Sequence, residues 1–269
     1  MLINYHILYL SIVQSLTEFL PVSSSGHLIL FPKLFGFKDL GLEVDVALHF
    51  GSVLAVVIYF SKIITQIIKD LLKSKFLYSS KYYGTKVFYL MIVATIPVVI
   101  AGLSLHFYGQ EMFRSQKLIG WTLIGFGFLL GFADKACLTI KRIEHLKFLD
   151  AFIIGCGQCL ALIPGTSRSG SCITFCRFIG MERREAAKFS MLLSIPAIIG
   201  ASGLVFFEVL QNGGSFTVNM LDAVVYTFIG SLLVIYIMMK WLKKSTFMPF
   251  VLYRIVLGCY LLCDSYGVF

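Results

Sequence analysis

The chain has 269 residues, of which 58% are hydrophobic and 14% charged, and its mean hydropathy is +0.87. Soluble domains average roughly 45–50% apolar and about 25% charged residues, so a soluble fold is excluded, and no polar block is large enough to fold as a second unit. The expectation is one all-α, polytopic, membrane-embedded domain over residues 1–269, whose formal charge of +9 marks orientation rather than nucleic-acid binding.

The N-terminal MLINYHILYL lacks the basic flank of a signal peptide, and no removable leader is expected. The apolar segment from Ile3 to Leu30 is broken in its middle by PVSSSGH. Charge-poor runs centred on Val46 to Ser61, Val87 to Leu105 and Leu118 to Ala133 follow, each suited to a crossing that takes about 20 residues. Between the first two, Lys62 to Lys86 reads as a surface loop, with an amphipathic interfacial helix predicted over Ser61 to Lys75. Ala151 to Ile179 is broken by PGTSRSG, and runs at Phe189 to Phe207, Ala223 to Met239 and Phe250 to Leu262 complete six spans, the last containing Arg254.

Backbone that leaves the helix at membrane depth is tolerated only where protein or a water-filled cavity surrounds it. The two broken segments are therefore predicted to be re-entrant helix-loop-helix hairpins, near residues 3–34 and 149–179. They echo each other as QSLTEFLPVSSSG from Gln14 and QCLALIPGTSRSG from Gln158, with a weaker echo between ATIPVVIAG at Ala94 and LSIPAIIGA at Leu193. Pseudo-repeats with broken helices point to a midplane site. Three spans between the hairpins put them on opposite faces, so their tips meet near the bilayer centre.

The cations agree with this topology. One face receives Lys62, Lys69, Lys73, Lys75, Lys81 and Lys86, then Lys135, Lys141, Arg142 and Lys147, then Arg177, Arg183, Arg184 and Lys188, then Lys240, Lys243 and Lys244. The other has Lys33, Lys38, Arg114 and Lys117, leaving Arg168 and Arg254 within the membrane. The cation-rich face is expected to be cytoplasmic, with both termini and the mouth of the first hairpin outward. The seven cysteines lie in or beside apolar runs, and they read as small buried hydrophobes rather than disulfides or a zinc site.

Glu18, His27 and Arg168 are ionisable groups in membrane segments, which by default are functional. Ser23, Ser24 and Ser25, and Thr166, Ser167 and Ser169, each sit between a proline and a glycine where a second half-helix begins. Free amides at a helix start bind anions, and a guanidinium suits bidentate phosphate contact. A carboxylate facing the same anion needs a divalent metal between them. The constellation reads as a metal-assisted phosphate site in lipid, for a substrate with a hydrocarbon tail. Glu18 as a mere structural partner of Arg168 is the plainer alternative.

Gln14 to Leu28 together with LALIPGTSRSG from Leu160 resembles the undecaprenyl-diphosphate phosphatases of the BacA, or bacitracin resistance, family; DVALHFGSVLAVV from Asp45, REAAKFSMLLSIPAIIGA from Arg184 and YRIVLG from Tyr253 extend the likeness to nearly the whole chain. The resemblance implies six spans with two opposed hairpins, and hydrolysis of a polyprenyl diphosphate to the monophosphate and inorganic phosphate at the outer face of the bacterial cytoplasmic membrane. It also implies a divalent cation, Mg2+ or Ca2+, with a homodimer left open. By the same resemblance Glu18 and Gln14 hold metal, Ser24 and His27 are the catalytic pair, with the nucleophile open between them, and Arg168 neutralises the phosphoryl group; the favoured reading has Ser24 attacking and His27 moving the proton. Ser23, Ser25, Gly165, Thr166, Ser167, Ser169, Gly170 and Thr174 form the substrate-binding loops. Three departures stand out: Ser25 for a common threonine, Cys172 for another, whose hydroxyl contact is either absent or supplied by Thr174, and Gln14 for glutamate. A lipid phosphatase of the phosphatidic acid phosphatase superfamily is disfavoured, because Thr174 stands where its signature needs histidine. A lipid transporter or flippase with the same opposed hairpins is the alternative of another class.

Overall fold

In the computed structural model, residues 5–24, 26–28, 41–108, 115–211 and 218–267 are described. Helix α1 (Tyr5–Phe19) leads to the first break. Helices α2 (Leu42–Tyr59), α3 (Ser61–Lys73), α4 (Tyr83–Tyr108) and α5 (Gln116–Ala136) follow. The second broken segment is α6 (Phe148–Cys159), a 3-10 turn (Leu160–Leu162) and α7 (Arg168–Phe178), and α8 (Arg183–Gln211), α9 (Val218–Trp241) and α10 (Met248–Ser265) close the chain.

Among the described residues, five helices are long and apolar enough to cross a membrane: Tyr83–Leu105 of α4, α5, Arg183–Phe207 of α8, Met220–Trp241 of α9, and α10. The sixth candidate is the α2–α3 pair, bent by 76°. The bend follows from the sequence of α3, whose inward face is Ile63, Ile64, Ile67 and Leu71 at helical spacing while Lys62, Lys69 and Lys73 lie outside. That amphipathic pattern lays a helix along an interface. Buried Asp70 accepts from the Gly84 amide at 2.8 Å, tying α3 to the start of α4. The interfacial helix ends at Lys73 and not at Lys75 as expected, because Lys75 and Phe76 turn into the left-handed region at φ 53° and 60°.

Helices α6 and α7 have 12 and 11 residues, hence about 16–18 Å each at 1.5 Å per residue, half of a hydrocarbon core about 30 Å thick. Neither can cross, so the segment enters and returns. In the first hairpin α1 stops at Phe19, the chain turns at Leu20 to Val22, and helix resumes at Ser24. Its continuation over residues 29–34 lies outside the described residues.

Around the two hairpins α9 packs on α2 and α1, α10 on α5, α4 on α6, and α8 on α7 and α2. The base of the second hairpin is locked by Asp134, whose carboxylate accepts from Arg183 at 2.6 Å and the Phe247 amide at 3.1 Å and lies 3.5 Å from Arg177. Arg177, counted among the loop cations, is instead wholly buried, and it also donates to the Leu138 and Met181 carbonyls.

Candidate active site

The two loops solve the same backbone problem alike. Ser23 and Ser167 hold positive φ, 79° and 74°, a conformation that costs a non-glycine residue about 1–3 kcal/mol and persists only when its surroundings enforce it. Each serine hydroxyl then accepts from the amide of the glycine three residues on, Gly26 at 3.3 Å and Gly170 at 3.1 Å, as a helix cap. The position after each capping serine therefore projects from equivalent backbone. In the first loop it is Ser24, in the second Arg168.

Both of these side chains reach Glu18. The Ser24 hydroxyl donates to Oε2 at 2.8 Å and Arg168 Nη2 to Oε1 at 2.9 Å, while Gln14 Nε2, one turn back on α1, donates to Oε2 at 3.2 Å. Arg168 Nη1 is steadied by the Ser190 carbonyl at 3.0 Å, and its Nε is a buried donor with no partner. Ser169 bridges the tips directly, donating to the Leu20 carbonyl at 3.0 Å, with its oxygen 3.1 Å from that of Ser167. The tips of the two hairpins thus meet, as the pseudo-repeat implies.

A cavity of about 350 Å³ opens beside this knot. Glu18, Ser24, Ser167 and Arg168 line it together with Asp45, His49 and Gln158, and apolar residues of α8 form the far wall. His27 is not among the lining residues. Its Nδ1 donates to the Ser23 carbonyl at 2.6 Å, so in the neutral ring Nε2 is left to accept from the Tyr253 hydroxyl, also at 2.6 Å. The two rings stack at 5.7 Å. Thr174 donates to the Gly170 carbonyl at 2.7 Å within α7 and does not supply the hydroxyl that Cys172 removes. Cys172 is buried and donates to Gln158 Oε1 at 3.2 Å. Gly165 and Thr166 serve through their backbone, and Ser25 lies outside the described residues.

Residues 7–260 match the family model described as bacitracin resistance protein BacA. The chain belongs to that family. A protein of Rhodospirillum rubrum named undecaprenyl-diphosphatase 1 is 42% identical over 97% of this chain and 94% of its own length. One of Stutzerimonas stutzeri named undecaprenyl-diphosphatase 2 is 43% identical over 97% and 98%. One of Roseobacter denitrificans named undecaprenyl-diphosphatase is 42% identical over 98% and 99%.

In this BacA chain the structure adds residues to which the sequence alone assigned no role. Arg254, wholly buried on α10, donates to the Pro21 carbonyl of the first loop at 3.3 Å and to the Gly165 and Thr166 carbonyls of the second at 3.1 and 2.9 Å. One guanidinium thereby straps both tips, aided by Thr122, which donates to Pro164 O at 2.7 Å. His49 Nδ1 donates to the Asp45 carbonyl one turn back at 2.8 Å, which leaves Nε2 facing Glu18 Oε2 at 3.8 Å. Asp45 and His49 form an ionisable i,i+4 pair inside an apolar span, a signal that was readable. Gln158 is fully buried, lines the cavity, and carries an unpartnered amide Nε2.

A hard divalent cation suits the donors at Glu18. Gln14 Oε1, beside that carboxylate, is a buried acceptor with no partner among the described residues, and the carboxylate of Asp45 belongs to a residue of the same cavity wall. Among the described residues no three His, Cys, Asp or Glu side chains converge.

Proposed function

We propose that this protein hydrolyses undecaprenyl diphosphate to undecaprenyl phosphate and inorganic phosphate, recycling the lipid carrier of cell-wall synthesis and thereby conferring bacitracin resistance. The observation that carries the reading is the meeting of Ser24 and Arg168, from equivalent positions of two hairpins, on the single carboxylate of Glu18 at a cavity wall. The names of the relatives support the same substrate.

Arg168 binds and neutralises the terminal phosphoryl group, which is most of what phosphoryl transfer asks of a protein. The free amides of the α7 start and Gln158 Nε2 complete the phosphate contacts. Ser24 Oγ attacks the terminal phosphorus, the bond to the bridging oxygen breaks, and undecaprenyl phosphate leaves; water then releases phosphate from the serine. The proton of Ser24 goes to Glu18, since its hydroxyl already donates there. His27 acts by holding the Ser23 turn. A divalent cation, Mg2+ or Ca2+, held by Glu18 and Gln14, would offset the negative charge of the diphosphate.

The cation-rich loops face the cytoplasm, and both termini and the cavity mouth face outward across the cytoplasmic membrane, where the diphosphate is presented. The flippase alternative is not favoured, because transport needs neither an aligned hydroxyl nor its acceptor. Purified protein in detergent with magnesium is expected to release phosphate from undecaprenyl diphosphate. No release with magnesium or calcium present would reject the hydrolase.

A further inference from the structure

Beside the head-group cavity lies a second, larger hollow of about 670 Å³ between α2, α8 and α9. Its lining is apolar, including Ala47, Phe50, Phe206, Met220 and Leu221, and Ser202 is the one residue among its ten with a polar side-chain atom. Val46 of α2 and Ser202 of α8 line both hollows. A third apolar groove, between α4 and α8 around Thr95 and Ile96, shares no lining residue with the head-group cavity.

We propose that the α2–α8–α9 groove is the binding site for the proximal isoprene units of the substrate, and sets how much of the tail the protein reads. The proposal rests on the diphosphatase reading of the adjoining cavity. The tail of a diphosphate whose terminal phosphoryl group sits at Arg168 has to leave the polar wall of Glu18, Asp45 and His49 without crossing it. The passage at Val46 and Ser202 is where that wall turns apolar.

Two features of the groove fix its scope. Phe50, Ile199 and Leu221 on its rim are 51%, 55% and 63% exposed, so it opens to surrounding lipid. Only the units nearest the diphosphate are enclosed, and the rest of a long tail runs on into the bilayer. Gly203 in its wall stands where an added Cβ would meet nothing within 4 Å. A large side chain there fills the groove without disturbing α8. Gly200, one turn earlier and equally unobstructed, lines none of the three hollows.

The test compares Gly203→Phe with Gly200→Phe, using farnesyl and isopentenyl diphosphates and a benzophenone-bearing farnesyl diphosphate as photolabel. In the unmodified protein the label is expected on α2, α8 and α9 peptides that contain Phe50, Phe206 or Leu221. Gly203→Phe is expected to lower that labelling and to cut the preference for farnesyl over isopentenyl diphosphate, in kcat/KM, by about tenfold or more. Gly200→Phe keeps the preference. Label on α4 between Ile92 and Ile100, or an unchanged preference in Gly203→Phe, overturns the assignment. Labelling of the groove without phosphate release from any diphosphate supports the groove and rejects the hydrolase reading instead.

Discussion

Replacing Arg254 by methionine separates the strapping of the loops from the stability of the fold. Among the described residues the guanidinium has no carboxylate partner and is satisfied by main-chain carbonyls of Pro21, Gly165, Thr166 and Leu123. Methionine leaves the first three, which lie in loops, without this donor. At about 1–3 kcal/mol per stranded group the loss is roughly 3–9 kcal/mol. Against it stands the cost of burying a guanidinium in the resting protein, itself several kcal/mol, which the variant no longer bears. The two are of one size, so the folded fraction is expected to survive. The loops are a different matter. Their strained Ser23 and Ser167 turns lose a common anchor, and a misplacement of about 1 Å costs on the order of a hundredfold in rate. Phosphate release by Arg254→Met in detergent, alongside size-exclusion and thermal unfolding, measures both. Turnover within about threefold of the parent would refute the strap, and collapse of the fold would refute the cancellation.

Three further outcomes follow from the geometry. Gln14→Glu places a second carboxylate beside Glu18 and is expected to lower the magnesium concentration for half-maximal turnover several-fold; a metal titration reads this, and an unchanged midpoint removes Gln14 from the cation site. His49→Ala takes away the imidazole facing Glu18 at 3.8 Å and is expected to reduce kcat by about tenfold, less than the roughly hundredfold or more of a side chain that itself transfers the proton, because His49 acts through Glu18. Wild-type kcat would make His49 a bystander. Gly165→Ala adds a Cβ at φ +87°, 2.8 Å from the Ile119 carbonyl and against Thr122; turnover is expected to fall below detection, and an active alanine variant would show that the second loop can be rebuilt.

Most of the architecture was legible because a bilayer leaves few options. Backbone broken by PVSSSGH and PGTSRSG has to be enclosed, and α6 and α7 are too short to cross. That Glu18 and Arg168 meet was legible for the same reason, as charges that a membrane segment tolerates only when partnered. What stayed hidden depends on where side chains point. His27 beside three serines looks like a member of the site, yet its ring turns to Ser23 O and Tyr253, and only coordinates show that. His49 lies far from both motifs in sequence and meets Glu18 because α2 packs beside α1. Arg254 stood out as a cation in a span, but its partners are carbonyls, which no residue type announces.

Under the proposed function, the Glu18–Arg168 pair occupies the places that a phosphoryl group and a cation would take. Glu18 is 5% exposed and Arg168 15%, so either charge alone would be stranded in a poorly solvated wall. Paired at 2.9 Å they compensate each other. With a phosphoryl group on Arg168 and a cation on Glu18, both charges would stay compensated, so entry of the ligands would be an exchange of partners rather than a desolvation. A double-mutant cycle tests this. Glu18→Gln and Arg168→Gln singly each leave an uncompensated charge, with an expected loss of about 3–5 kcal/mol in unfolding free energy. The double variant is expected to recover most of that stability while remaining inactive, since neither phosphoryl group nor cation then has its anchor. Stability losses that simply add in the double variant would mean that the two charges do not depend on each other, and the exchange would have no driving balance.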